Sequence, residues 1–466
     1  MNSSPDTFNG TNNPTPIKVC VIGAGPSGIT AAKNCLAAGL EVTVFEKNTR
    51  VGGNWVFNAS TGHSSVYENT HIISSKFWSE YEDFPMPQGF PDYPHHSHLQ
   101  AYFESYAKYF GVMPRIKFGH TVDQVARLPD GTWQVDFTND QGVHQRDVFT
   151  HLMVANGHHW HPKYPEKVGE FTGKLMHSHD FKGIDDSWRG QRVLVIGAGN
   201  SACDVSVEAA RLAGKVCISM RSPQWFVPKF IFGKPADVFA SQTTWLPGWI
   251  KANSFKLILK LLQGPYDKIG LPVNKKSPFT QHPTLNSDFI DFVRHGRIQP
   301  RPGIDRFEGN SVFFTDGKSE TFDTVVACTG FWISFPFFDK SFIDFQHVDK
   351  TPLYLKMCHA DYKNLHFIGL FQPLGCIWPM ADMQARLAVA EIKGQWTRPA
   401  EIQTAIDHEM THPHFAFERA ARHSTEVDYH AFRRELAVAL SKAGQDIGKP
   451  PAMRKPPVVR PASLPA

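Results

Sequence analysis

Ile17-Lys18-Val19-Cys20-Val21-Ile22-Gly23-Ala24-Gly25-Pro26-Ser27-Gly28 is a short apolar run feeding a Gly-x-Gly-x-x-Gly turn. Val19, Val21 and Ile22 read as a buried parallel strand. An alanine-rich helical stretch follows and ends near Gly39. The next strand, Val42 to Phe45, delivers Glu46, 23 residues after the first glycine. Each position has a mechanical reason. Gly23 permits the tight turn, Gly25 lets backbone approach a pyrophosphate, and Gly28 lets the helix sit close to the strand. The helix N-terminus offers free N–H groups and the positive end of its dipole to phosphates. Glu46 can accept hydrogen bonds from the hydroxyls of an unphosphorylated ribose. Strand, turn, helix and acid together predict a dinucleotide site.

The pattern comes back in the second half of the chain. Val193-Leu194-Val195-Ile196 leads into Gly197-Ala198-Gly199-Asn200-Ser201-Ala202, and a helix is expected through Leu212. Ala202 stands for the third glycine and is still small enough for close packing. The strand Val216 to Met220 ends at Arg221, 24 residues after Gly197, in the place that Glu46 holds in the first unit. A guanidinium there suits a 2′-phosphate, so this site is expected to take NADP(H). One site for a free ribose and one for a phosphorylated ribose suggest hydride transfer between two dinucleotides.

The chain has 466 residues, enough for about three units of domain size. Hydrophobic residues make up 41% and charged residues 20%, ordinary for a globular protein with a large core. A net charge of +4 is too mild to suggest nucleic acid. Seven cysteines without a C-x-x-C pair read as buried thiols in a reducing compartment, which argues against a disulfide reductase. No early stretch has the layout of a signal peptide, and no apolar run is long enough to span a bilayer. His158, His159 and His161 invite a metal reading, but neighbours on an extended loop rarely converge on one ion. No metal is expected.

Residues 1–16 and 445–466 are polar or proline-rich and are expected to be unstructured. Val51-Gly52-Gly53-Asn54-Trp55 can bring backbone close to a ligand, with Trp55 over a ring system. Residues 66–94, rich in aromatics and proline, read as an irregular surface segment. A helix is expected from about His98 to Phe110, and a hairpin around Pro129-Asp130-Gly131. Residues 223–283 are too long for an ordinary connection. They contain Ile250 to Leu262, where lysines alternate with apolar clusters, as in a lid, a packed helix or a basic membrane-surface helix. Thr324 to Gly330 is similar in pattern to Leu152 to Gly157, so both are expected to close a dinucleotide fold. A late helix is expected from Pro379 to Lys393.

These residues together resemble the flavin-containing monooxygenases, within the class B flavin-dependent monooxygenases. The resemblance covers roughly residues 17–440. It rests on the two glycine motifs with Glu46, on Gly52-Gly53-x-Trp55, and on Asn200-Ser201-x-Cys203-Asp204. It also rests on Ala327-Cys328-Thr329-Gly330-Phe331 and on Phe171-x-Gly173-x-x-x-His177-x-x-x-Phe181. Relatives that insert oxygen into ketones usually have Trp where Phe181 stands, which tilts the expectation toward sulfides and amines over Baeyer–Villiger chemistry.

The resemblance implies an α/β fold with two Rossmann-like dinucleotide-binding domains. Residues 17–164 and 326–444 would hold FAD, and an inserted domain, residues 165–325, would hold NADPH. Carried over by motif, Gly23, Gly25, Ser27, Gly28, Glu46, Gly53, Asn54, Trp55 and Ser74 would touch FAD, with Gln384 near the flavin. Gly197, Gly199, Asn200, Ser201, Ala202 and Arg221 would touch NADPH. The implied reaction passes one atom of O2, through a C4a-hydroperoxyflavin, to a small-molecule soft nucleophile. Similar enzymes carry an asparagine beside the flavin where this chain has Ile73, which cannot hydrogen-bond the hydroperoxide. The apolar C-terminal anchor of animal members is not seen, so a soluble, cytoplasmic protein is expected, with a homodimer as one form to look for. The rival readings are an NADPH oxidase that releases hydrogen peroxide and a flavin-bound redox sensor.

Overall fold

A computed structural model describes residues 16–166, 169–243, 245, 247–278, 283–413 and 425–445. Apart from Pro16 and Gln445, the two tails expected to be unstructured lie outside the described residues. In chain order, the first elements are β1 (Lys18–Ile22), α1 (Pro26–Ala37), β2 (Glu41–Glu46), α2 (His96–Tyr109) and β3 (Ile116–Phe118). An antiparallel meander follows, β4 (Thr121–Arg127), β5 (Trp133–Thr138) and β6 (His144–Phe149), and then β7 (His151–Val154). The middle of the chain gives β8 (Lys174–His177), β9 (Arg192–Ile196), α3 (Asn200–Ala209), β10 (Lys215–Ser219) and α4 (Gly248–Gln263). It ends with β11 (Ile298–Arg301), β12 (Thr324–Ala327), β13 (Leu365–Phe367), α5 (Trp378–Ile392) and α6 (Tyr429–Lys442).

Two parallel five-stranded sheets result. The first runs β13-β7-β1-β2-β3 and the second β8-β12-β9-β10-β11. Each is centred on the strand that precedes a glycine motif. The two look-alike strands sit in equivalent places, β7 beside β1 and β12 beside β9. The first sheet takes strands from both ends of the chain, and all strands of the second come from the middle. The fold is therefore the expected α/β arrangement of two dinucleotide-binding units.

Side-chain alternation explains why the central strands are apolar throughout. Val19 and Val21 of β1 face a core shared with α1, α2 and α5, whereas Cys20 and Ile22 face a second core built on the meander. In β9, Val193 and Val195 point to one core and Leu194 to another. Both sheets are covered on both faces, the usual condition for all-parallel sheets. Pro26 opens α1, where its fixed φ suits the helix and its missing N–H costs nothing.

The segment 66–94 is not the surface segment expected. Trp78, Tyr81, Met86, Phe90 and Tyr93 are buried in the main core beside α1 and α2, although Phe77 is exposed. Irregular backbone is tolerated inside because distant groups satisfy it. The Tyr102 hydroxyl accepts the Tyr81 N–H at 2.8 Å, and the Tyr81 hydroxyl donates to the Pro26 carbonyl at 2.7 Å. Two smaller differences concern helix ends. α2 starts at His96, where the His95 side chain accepts the Ser97 N–H, and α3 stops at Ala209, short of Leu212.

A buried ion pair joins α1 to α5. Lys33 Nζ lies 2.8 Å from Asp382 Oδ1 and 2.7 Å from Asp83 Oδ2. Burial pushes the Asp382 carboxyl up, but Lys33, Thr30 and Asn34 outweigh it and hold it below the usual carboxylate range.

Candidate functional site

The C-terminal ends of β1, β2 and β7 converge on the N-terminus of α1, the crevice where open α/β sheets bind ligands. Gly25 is the residue before the helix, and no side chain caps it. Gly28 has no room for a side chain, because a Cβ there would run into the Gly23 carbonyl oxygen. Gly53 comes from the following loop with φ +54°, and a Cβ on it would stand 2.9 Å from the Gly25 Cα. Two glycine backbones thus meet at one helix terminus, leaving bare N–H groups and no side chain to compete with an anion. The donor set fits the pyrophosphate of a dinucleotide.

Glu46 closes this crevice at the end of β2. Its Oε2 accepts the Ala24 N–H at 2.6 Å, and its Oε1 accepts the Asn48 N–H at 2.7 Å. Burial raises the carboxyl above its usual range, and the two N–H donors pull it partly back. Each oxygen keeps a lone pair for a ribose hydroxyl.

The other residues expected at this site are less uniform. Ser27 packs against Gly369, whose φ of +81° leaves its bare Cα facing the serine hydroxyl. Gln384 is fully buried, and its amide is taken up by backbone: Oε1 accepts the Gly369 N–H and Nε2 donates to the Leu355 carbonyl, both at 2.9 Å. Gln384 thus braces the loop behind Ser27. Asn54 Oδ1 accepts the Ser65 N–H at 2.6 Å, and Trp55 meets Trp378 edge to face at 5.9 Å. Ser74 bonds Ser79 at 2.9 Å and is buried, next to the half-buried Ile73.

The second crevice repeats the first at α3. A Cβ on Gly197 would stand 2.5 Å from the Cys328 carbonyl oxygen, whereas nothing lies within 4 Å of one on Gly199, the uncapped residue before the helix. Ala202 is buried and stands 3.4 Å from the Gly197 side, so its methyl fills the place of a third glycine. Ser201 is exposed at the helix mouth. Asn200 turns away, accepting the Leu285 N–H at 2.7 Å. Arg221, just past β10, is exposed and has no hydrogen bond or ion pair among the described residues. Its guanidinium fits a phosphorylated ribose. Burial pushes Asp204, on α3, up to about 6, while Asn286 donates to it at 2.6 Å.

The fingerprint around His177 joins these units. Phe181 is fully buried edge-on to Trp188, and Phe171 packs on Phe307. His177 ends β8 against Phe331, its Nε2 unpartnered, and burial lowers its pKa to about 4. Lys182, which sequence reading missed, donates to the carbonyls of Ser64 (2.6 Å) and His179 (2.9 Å) and so ties residues 64–66 to the second unit. Its position one residue past the fingerprint was the available signal. Gly369 was also missed, although a glycine two residues past the strand Leu365–Phe367 hints at a special backbone.

Among the described residues, the one group with metal-ligand spacing is Cys358, His366 and Glu391, away from the histidines 158, 159 and 161. Glu391 is already saturated: Arg398 donates to its two oxygens at 2.6 and 2.7 Å, and His366 bonds Oε2 at 2.8 Å. With a guanidinium in that position, the cluster reads as a buried ion-pair network. All seven cysteines are free, and six are buried.

Two uncapped helix N-termini, one beside a buried acid and the other followed by an exposed arginine, are what a fold with two dinucleotide-binding units presents. The chain belongs to the FMO-like family, described as flavin-binding monooxygenase-like, whose model matches residues 16–447. It is 32% identical over 441 residues to flavin-containing monooxygenase 5 of Cavia porcellus, covering 90% of this chain and 82% of that protein. It is 35% identical over 410 residues to dimethylaniline monooxygenase [N-oxide-forming] 2 of Rattus norvegicus, covering 84% and 76%. Among solved structures, S-allyl-L-cysteine S-oxygenase from Allium sativum superposes with a TM-score of 0.67 at 22% identity, covering 93% of this chain and 90% of the other. The protein is an NADPH-dependent oxidoreductase, and its cofactors are FAD and NADPH. No helix among the described residues is long and apolar enough to cross a membrane.

Proposed function

We propose that this chain places one atom of O2 on a soft nucleophile, a sulfide or an amine, at the expense of NADPH. The observation that carries the reading is the contrast between Glu46, buried at the end of β2, and Arg221, exposed just past β10. An acid there selects the free ribose of FAD, and a cation in the equivalent place selects the phosphorylated ribose of NADPH. The relatives named N-oxide-forming and S-oxygenase support nitrogen and sulfur as the oxygenated atoms.

In this reading, bound FAD supplies the redox chemistry, and the residues of the chain bind, orient and keep water out. Glu46 accepts from the FAD ribose, and the α1 N-terminus with Gly25 and Gly53 receives the pyrophosphate. Gln384 holds the Gly369 backbone so that Ser27 and the helix mouth keep their shape. Arg221, Ser201 and the α3 N-terminus hold NADPH. Residues 17–164 and 326–444 form the FAD unit and 165–325 the NADPH unit, with Lys182 as one tie between them. Ile73 presents a hydrocarbon in a place where relatives present an amide, so the chain relies on its buried surroundings to exclude water.

The test is a product assay with the FAD-loaded protein, NADPH and air across an alkyl sulfide, a tertiary amine and a cyclic ketone. Sulfoxide or N-oxide is the expected product. A lactone or ester alone would replace the proposal with ketone oxygenation, and peroxide alone would replace it with an oxidase.

A further inference from the structure

Four histidines gather where the first unit meets the second. His95 stands just before α2, His96 and His98 lie in its first turn, and His71 is bridged to His95 from the neighbouring stretch. Ring centroids are 4.0 Å apart for His95 and His96, 5.0 Å for His71 and His95, and 6.5 Å for His95 and His98. The two innermost rings share one acceptor. His95 Nε2 and His96 Nε2 both donate to the Glu68 carbonyl, at 2.6 and 3.1 Å.

Through Glu68 and its neighbours the first unit reaches the second. The Glu68 N–H donates to the Lys182 carbonyl at 2.9 Å, and the Glu68 carboxylate lies against Gly183. Tyr67 packs on Phe181 at 5.6 Å, and Asn69 Nδ2 donates to Glu208 Oε2 of α3 at 2.9 Å. Residues 67–69 are therefore held by imidazoles of the first unit and by groups of the second.

The arrangement requires uncharged rings. His95 Nδ1 accepts the Ser97 N–H at 3.3 Å, which needs a bare nitrogen, while His95 Nε2 carries the hydrogen given to Glu68. Charging the ring puts a hydrogen on both nitrogens and takes away the acceptor that caps α2, at a helix end that already repels a cation. His96 Nδ1 is buried without a partner among the described residues, so a hydrogen placed there would be a buried donor with no acceptor. The ionisable groups that act on these rings are one another and Lys229, which in turn feels Asp204 and Asp288. Each added charge thus meets others of its own sign. Burial lowers His71 and His98 and brings His96 down to about 4. We propose that His95 and His96 are positioning residues that hold residues 67–69 between the two units while uncharged and release them when protonated. The consequence for catalysis rests on the reading that α3 receives NADPH: release loosens α3 relative to the FAD unit, and hydride transfer slows.

The experiment is hydrogen exchange of the FAD-loaded full chain, followed by mass spectrometry at about pH 7.5 and about pH 5 and corrected for intrinsic rates. A ring that titrates at 6.5 when free and at about 4 when held favours opening by about thirtyfold between those pH values. Peptides covering residues 66–72 are expected to lose protection by that order, while β1 and β9 keep theirs. His95→Asn with His96→Gln keeps a helix cap and a side-chain N–H but cannot titrate, and its protection is expected to stay unchanged. If that variant does not fold, His96→Gln alone is expected to remove at least about tenfold of the change. A wild type that keeps its protection, the same loss in a folded variant, or an equal loss in β1 and β9 overturns the proposal. Anaerobic reduction of the flavin by saturating NADPH is followed alongside, and at about pH 5 it is expected to slow more in the wild type than in the variant. Equal slowing overturns the effect on hydride transfer. No reduction in either protein at about pH 7.5 overturns the reading of α3 as the NADPH site, and the exchange then decides the joint by itself.

Discussion

Glu46 reaches back across the first crevice to Ala24, its Oε2 accepting the Ala24 N–H at 2.6 Å. Ala24 lies inside the glycine turn, so the residue expected to hold the ribose also holds the loop expected to face the pyrophosphate. The two halves of the first site are therefore coupled, and loss of the carboxylate disturbs both.

Glu46→Ala removes that acceptor and leaves the Ala24 N–H without its partner. A lost hydrogen bond to a charged group costs about 1.5–3 kcal/mol, which corresponds to roughly ten- to a hundredfold in affinity. Fluorescence titration of the apoprotein with FAD is expected to show a weakening of that order. Unchanged affinity would remove Glu46 from the FAD site.

Arg221 is the residue proposed to set coenzyme choice. Arg221→Ala is expected to raise the KM for NADPH by roughly ten- to a hundredfold while sparing NADH, because only NADPH carries the 2′-phosphate. Steady-state kinetics with both coenzymes decides it. An equal loss with NADH would mean that the side chain supports the fold and does not read the phosphate.

The network of Glu391, His366 and Arg398 sets an acid limit. Burial opposes its charge, but His366 and Arg398 hold the Glu391 carboxyl down at about 2. A depressed carboxylate stabilises the fold fully above its unfolded pKa near 4.5, and the contribution is lost as pH falls toward about 2. Arg398→Ala leaves Glu391 and His366 buried without the guanidinium, at a cost of about 3–5 kcal/mol. Urea melts from pH 7 to 3 are expected to show the wild type losing stability over the lower part of that range. The variant should be weak throughout and less steep. A variant as stable as the wild type at pH 7 would contradict the role given to this cluster.

The glycine turns, the central strands and the places of Glu46 and Arg221 at strand ends were legible because their reasons are local. A tight turn, a helix mouth and an acid or base one strand later sit within about thirty residues, and apolar runs mark strands buried on both faces. The segment 66–94 was misread because its burial depends on distant partners. Tyr81 is satisfied by Tyr102 and Pro26, and no periodicity announces that. Gln384 was expected near the flavin from the resemblance, but its bonds to Gly369 and Leu355 depend on where β13 meets α5. The network of Cys358, His366, Glu391 and Arg398 was invisible for the same reason, its members meeting only in three dimensions.

Ile73 is the position proposed to bear on how cleanly NADPH is used. Ile73→Asn restores the amide found in similar enzymes, and an unpaired amide in this half-buried place would cost about 1–3 kcal/mol of stability. Hydrogen peroxide released per NADPH is expected to fall in the variant. Peroxide release that stays the same or rises would mean that the isoleucine costs this chain nothing.

Oxygen transfer from O2 is the centre of the account, and labelled O2 reads it directly. The FAD-loaded protein is supplied with NADPH, a dialkyl sulfide and heavy-isotope O2, and the sulfoxide is weighed by mass spectrometry against NADPH consumed. One heavy oxygen in each sulfoxide, with product tracking NADPH, is the expected result. Unlabelled sulfoxide, or NADPH consumed with peroxide as the sole product, would contradict it.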